Sequence, residues 1–261
     1  MAFPEQVHSS LRPSRQAAID PQEDARDRLI VALDVPSTGA AIALVDRLEN
    51  RCSWFKVGLE LFVAAGPAIL DTLATRGHSV FLDLKFHDIP NTVAGAVRSA
   101  AVRGVRMMTV HALGGPAMLS AARDALAAAA NPPELLAVTV LTSMDGAQLN
   151  AVGLVDRAPE QVERLAKVGL AAGIRGFVCS PQEVGLLRGL AGPDALLVIP
   201  GIRPAGAGVG DQRRVATPAE ALRQGASYLV VGRPITQAPD PAEAADRILK
   251  EMAAGLREAR V

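Results

Sequence analysis

The chain has 261 residues, is 49% hydrophobic and 21% charged, and its 27 Lys plus Arg balance 27 Asp plus Glu. This length and composition exclude a mostly disordered chain and allow a large core without disulfides or a structural metal. A formal net charge of zero and 3% aromatic residues exclude the basic footprint of a general nucleic-acid binder and the stacking platform of a single-strand binder. Cys52 and Cys179 each stand alone in apolar stretches. They read as buried small hydrophobes in a reducing compartment. No apolar run reaches the ~18 residues of a membrane span, and the N-terminus has no hydrophobic signal core. Its Glu5, Asp20, Glu23 and Asp24 argue against a transit peptide. The expected location is the cytoplasm.

In chain order, residues 1–27 are polar, with prolines at 4, 13 and 21, and are expected to form a loosely ordered extension outside the core. From Arg28 onward, residues 28–261 read as one domain in which short apolar runs alternate with Ala-rich helical stretches. Strands are predicted at 29–34, 54–57, 79–85, 107–111, 135–141, 176–179, 196–199 and 228–231. Ser37 or Thr38 caps a helix through Leu48. A second helix within 61–76 ends before Gly77, a third from about Asn91 ends before Gly104, and Thr217-Pro218 opens one ending before Gly225. Asp240-Pro241-Ala242-Glu243 is a capping-box pattern with Pro at the first helical position. Eight strands alternating with helices, most buried on both faces, predict an α/β fold with an all-parallel sheet closed into a single-domain (β/α)₈ TIM barrel. The rival, an open doubly wound sheet, is expected to carry a glycine fingerprint after its first strand. Here that strand runs into Asp34-Val35-Pro36.

The active site of a barrel lies at the carboxyl ends of its strands. The first strand ends in Asp34 and the second contains Lys56. The third reads Asp83-Leu84-Lys85-Phe86-His87-Asp88, where alternation puts Asp83 and Lys85 on one face. The chain has four lysines, and two of them, Lys56 and Lys85, stand in otherwise apolar strands. By itself an Asp83–Lys85 pair is equally consistent with a structural ion pair. Lys56, Lys85, Asp34, Asp83 and Asp88 converging on one mouth favour chemistry, because a charge on a barrel wall is costly unless paired and a lysine ammonium can deliver a proton.

Strand seven runs into Pro200-Gly201-Ile202-Arg203, followed by Gly206, Gly208 and Gly210 and then Asp211-Gln212-Arg213-Arg214. Strand eight ends Gly232-Arg233-Pro234. Glycine and arginine together in these two loops point to a phosphate site, and the segment between Arg203 and Arg214 reads as a lid. His111 and His87 sit near the mouth and read as rim or orienting residues; His8 and His78 read as incidental. Thr142 and Ser143 serve equally as ligand contacts or a helix cap. No metal set stands out. The residues alone therefore give a phosphorylated small metabolite, held at strands seven and eight and worked on by Lys/Asp charges at strands one to three.

The segment Asp83-Leu84-Lys85-Phe86-His87-Asp88-Ile89-Pro90-Asn91-Thr92 resembles the signature of the orotidine 5′-phosphate decarboxylase family, of the bacterial type. The resemblance extends from Arg28 to about Met252. It includes Ala32-Leu33-Asp34, Lys56-Val57-Gly58, the 138–144 segment, Pro200-Gly201-Ile202-Arg203 and Val231-Gly232-Arg233. It implies a carbon–carbon lyase that needs no cofactor or metal and turns orotidine 5′-phosphate into UMP and CO₂, the last step of de novo UMP synthesis. In this resemblance Lys85 is the proton donor, and Lys56, Asp83 and Asp88 complete the catalytic array. Asp34 and Lys56 contact ribose, and Thr142 the pyrimidine. Arg203, Gln212, Gly232 and Arg233 hold the phosphate, and Ile89 and Pro200 complete the substrate-binding set. Asp88 and Thr92 serve the neighbouring subunit of a homodimer, and no nucleic-acid or membrane partner is implied. The alternatives are a metal-dependent keto-sugar-phosphate decarboxylase or aldolase of the same barrel group, and a catalytically silent nucleotide-binding barrel.

Overall fold

The computed structural model describes residues 20–204 and 214–259. Eight parallel strands close into a barrel in sequence order: β1 Leu29–Ala32, β2 Trp54–Val57, β3 Ser79–Phe86, β4 Met107–His111, β5 Glu134–Val138, β6 Gly176–Val178, β7 Leu196–Ile199 and β8 Tyr228–Val231. The first strand pairs with both β2 and the last strand, β8. The open doubly wound rival is thereby excluded.

Strand alternation sorts side chains into two cores. One set, including Ile30, Trp54, Phe81, Met107, Leu136, Leu196 and Tyr228, packs together inside the barrel. The intervening residues, among them Val31, Phe55, Val80, Met108 and Leu197, pack with the surrounding helices. Within the barrel Trp54 meets Tyr228 edge-on at 5.3 Å. On β6 glycine is required at Gly176, where a Cβ would lie 2.4 Å from Leu136 Cδ2 and 2.9 Å from the Leu135 carbonyl oxygen.

Several sequence expectations differ from the structure; the strands expected at 29–34 and 176–179 end at Ala32 and Val178. The helix expected within 61–76 is two helices, Leu59–Ala65 and Ala68–Thr75. Gly66 between them has φ +64°, and Pro67, without an N–H, cannot continue the ladder. Strand β5 ends at Val138 rather than 141, because its partner β6 ends at Val178. The carbonyl of Leu141 instead accepts from Arg214 at 2.9 Å. Finally, Pro21–Arg28, placed by the sequence reading mostly within a loose extension, is a helix capped by Asp20. It packs against the C-terminal helix Pro241–Glu258. Its anchor is fully buried Ala25 beside Asp24, which is buried and ion-paired with Arg28. One small apolar anchor leaves no period to read. The caps at Ser37, Thr217 and Asp240 form as expected, except that Glu243 pairs with Arg247 instead of closing a box with Asp240.

Candidate active site

The period-2 register that fills the barrel floor also delivers polar groups to its upper end. Two residues above Ala32, Trp54, Phe81 and Met107 come Asp34, Lys56, Asp83 and Thr109. Three of these, with Lys85, form a chain of alternating charge. Lys56 Nζ lies 2.9 Å from Asp34 Oδ1 and 3.8 Å from Asp83 Oδ2, and Lys85 Nζ donates to both Asp83 oxygens at 2.9 Å. Lys56 and Asp83 are only 11% and 13% exposed as side chains, so each charge is tolerated because the next compensates it. A Cβ at Gly58 would stand 2.8 Å from Lys56 Nζ and 3.2 Å from Asp34 Oδ1. Glycine there leaves room for the pair.

Lys85 is reached through an irregularity that simple alternation did not anticipate. Leu82 pairs with Met108 and Phe86 with Val110, so three residues of β3 span the place of Thr109 alone. Lys85 adopts φ +52°. Its ammonium still meets Asp83, as expected from the sequence.

These charges line a cavity of about 490 Å³ together with Thr142, Pro200, Arg203, Gly232 and Arg233. Ala32, Val138, Val178 and Val230 supply apolar walls. Arg203 is held by a backbone bond from its N–H to Ala216 O at 3.0 Å. Burial first, and then the like charge of Arg233, lower the Arg203 pKa from its ordinary value. An anion bound near both guanidiniums would offset that like charge, and a phosphate is such an anion. Gln212 and the glycine-rich segment before it lie outside the described residues.

Asp88, Ile89 and Thr92 do not line this cavity. All three are exposed, and Asp88 Oδ1 accepts from the Ile89 N–H at 2.6 Å. Ser143 is also absent from the lining. His111 stacks on His87 at 5.3 Å and accepts from the Leu113 N–H through Nδ1. Burial, followed by the charges of His87 and Lys85, lowers its pKa to about 4, so it is neutral at pH 7. His78 packs edge-on against Phe55. Cys52 and Cys179 are buried free thiols, and burial raises the pKa of both. Among the described residues, no group of three or more His, Cys, Asp or Glu is placed to hold a metal ion.

The sequence reading missed Glu60 and Gln237, which also line the cavity. Their signal was position: Glu60 follows the Lys56-Val57-Gly58 strand end, and Gln237 lies one helical turn beyond Arg233.

The model of the "Orotidine 5'-phosphate decarboxylase / HUMPS family" matches residues 27–248. The chain belongs to that family. Among its relatives, the orotidine 5′-phosphate decarboxylase of Alkalilimnicola ehrlichii is 55% identical over 231 residues, covering 88% of this chain and 98% of its own. That of Moorella thermoacetica is 56% identical over 234 residues, covering 87% and 93%. The crystal structure of the Lactobacillus acidophilus decarboxylase superposes with TM-score 0.75 at 42% identity, covering 86% of this chain and 98% of that one.

Proposed function

We infer that this chain is a carbon–carbon lyase that converts orotidine 5′-phosphate to UMP and CO₂, and we propose a role for each site residue. The observation that carries the reading is Lys85, an ammonium held bidentately by Asp83 at the rim of the cavity that also contains Arg203 and Arg233. The substrate phosphate sits between the two arginines, with Gly232 beside it. Asp34 and Lys56 hold the ribose hydroxyls, and Thr142 holds the pyrimidine edge.

With the phosphate fixed, the ring carbon bearing the carboxylate lies against Lys85. The bond from ring carbon to carboxylate breaks, CO₂ leaves, and the electron pair stays on the ring carbon. That carbon has no conjugated sink for the charge. The adjacent ammonium stabilises it electrostatically in a partly desolvated site. Lys85 then transfers its proton to the carbon, giving UMP, and regains a proton from solvent. Asp83 and Lys56 keep the ammonium aimed, and the distant phosphate contacts supply binding energy for positioning. The residues present complete this sequence of steps without an added cofactor.

The exposure of Asp88, Ile89 and Thr92 outside their own cavity supports a homodimer in which they complete the partner's site. Asp88 there faces the substrate carboxylate and disfavours the ground state. A biosynthetic step on a charged nucleotide fits a cytoplasmic enzyme, and no helix among the described residues is long and apolar enough to cross a membrane.

The test is orotidine 5′-phosphate turnover by the purified protein, with and without chelator. Chelator-resistant formation of UMP is expected. Chelator-sensitive turnover, or binding without turnover, would overturn the mechanism. For the dimer, mixing inactive Lys85→Ala and Asp88→Ala chains should restore activity by forming one intact site. A mixture as dead as its parts would contradict sharing.

A further inference from the structure

We propose that Thr109 is a positioning residue that sets both the backbone and the counter-ion of Lys85; the inference rests on the reading of Lys85 as proton donor. Thr109 is fully buried on β4 and does not line the cavity, so it acts through other groups. The β3–β4 ladder is regular on either side of it, at Leu82–Met108 and Phe86–Val110, and irregular only between. Within that irregularity Lys85 takes φ +52°, a conformation that side chains rarely adopt and that persists only where surroundings hold it.

A bulged strand leaves its N–H groups out of register with the partner's carbonyls. The Lys85 N–H finds the Thr109 hydroxyl instead, at 2.8 Å. That hydroxyl has one proton to give, and it gives it to Asp83 Oδ1 at 3.1 Å. Asp83 in turn accepts from Lys85 Nζ at 2.9 Å. Lys85 is therefore gripped at both ends, through one oxygen at its backbone and one carboxylate at its tip. A hydroxyl is the smallest side-chain group that can accept from the first and donate to the second. Valine has the same shape and can do neither.

The experiment compares Thr109→Val and Thr109→Ser with the wild type for kcat, KM, UMP affinity and melting temperature, with Lys85→Ala measured in parallel. Thr109→Val should remain folded and lose roughly 10- to 100-fold in kcat, by analogy with the loss of hydrogen-bond partners that orient metal ligands. Its KM and UMP dissociation constant should stay within about threefold, since phosphate binding is untouched. Thr109→Ser, which keeps the hydroxyl, should stay within about threefold of wild-type kcat. Wild-type kcat in Thr109→Val, or an equal loss in the serine and valine variants, would overturn the inference while leaving the proton donor in place. Full activity in Lys85→Ala would instead overturn the donor assignment and this inference with it.

Discussion

The two arcs of the barrel mouth handle charge in opposite ways. On β1–β3, Asp34, Lys56, Asp83 and Lys85 neutralise one another at 2.9–3.8 Å. On the loops after β7 and β8, burial and then the like charge of Arg233 lower the pKa of Arg203. The first arc is complete without ligand, so its geometry is preformed and no reorganisation is required when charge develops. In the proposed function the second arc binds the substrate phosphate. In the proposed function this difference separates chemistry from binding along a single rim, even though β8 and β1 are hydrogen-bonded neighbours.

The sharpest way to break this comparison is Lys85→Ala. It should lower kcat by roughly 10³-fold or more, combining the loss of a proton donor with that of a charge at the reacting carbon, while UMP still binds. Steady-state kinetics and calorimetry read both quantities. Arg233→Ala should do the reverse, weakening UMP roughly 10- to 100-fold, as expected for charge-assisted hydrogen bonds. Uridine binding should change far less, and equal losses for nucleotide and nucleoside would remove the phosphate assignment. Gly58→Ala should cost on the order of tenfold in kcat/KM by displacing the Lys56 tip, because its Cβ would meet Nζ at 2.8 Å. Its melting temperature should barely move.

A change in stability rather than turnover concerns His111, beside Lys85. Its pKa falls from 6.5 in the unfolded chain to about 4 in the folded one. The unfolded chain therefore takes up a proton first as the pH drops. The stability tied to neutral His111 is full above pH 6.5 and is lost as the pH falls towards 4. Half-buried as it is, its share is on the order of 2 kcal/mol after allowance for solvent screening. Urea melts across that range should show a shallower acid loss in His111→Asn, which keeps an acceptor for the Leu113 N–H. An unchanged slope would remove His111 from the account.

The barrel was legible because its strands are apolar on both faces and its helices carry caps. The charged arc was legible for a related reason: lysines and aspartates in apolar strands stand out, and Asp34, Lys56, Asp83 and Lys85 fall in one cavity. What escaped depended on three-dimensional packing. The helix Pro21–Arg28 is anchored by one alanine and an ion pair. Gly66-Pro67 splits what reads as one helix. The β3 irregularity arises from pairing with β4, so a threonine in an apolar strand gave no hint of its link to Lys85. Asp88, Ile89 and Thr92 were readable as a motif, yet their place is outside the cavity of their own chain.

The most direct measurement is a crossed one: kcat for orotidine 5′-phosphate and the dissociation constant of UMP, determined together on Lys85→Ala and Arg233→Ala. Division of labour between the arcs predicts opposite signatures, with turnover lost and UMP affinity kept in the first, and UMP affinity lost by the larger factor in the second. If both variants lose turnover and affinity in the same proportion, the two arcs act as one undivided site and the account is wrong.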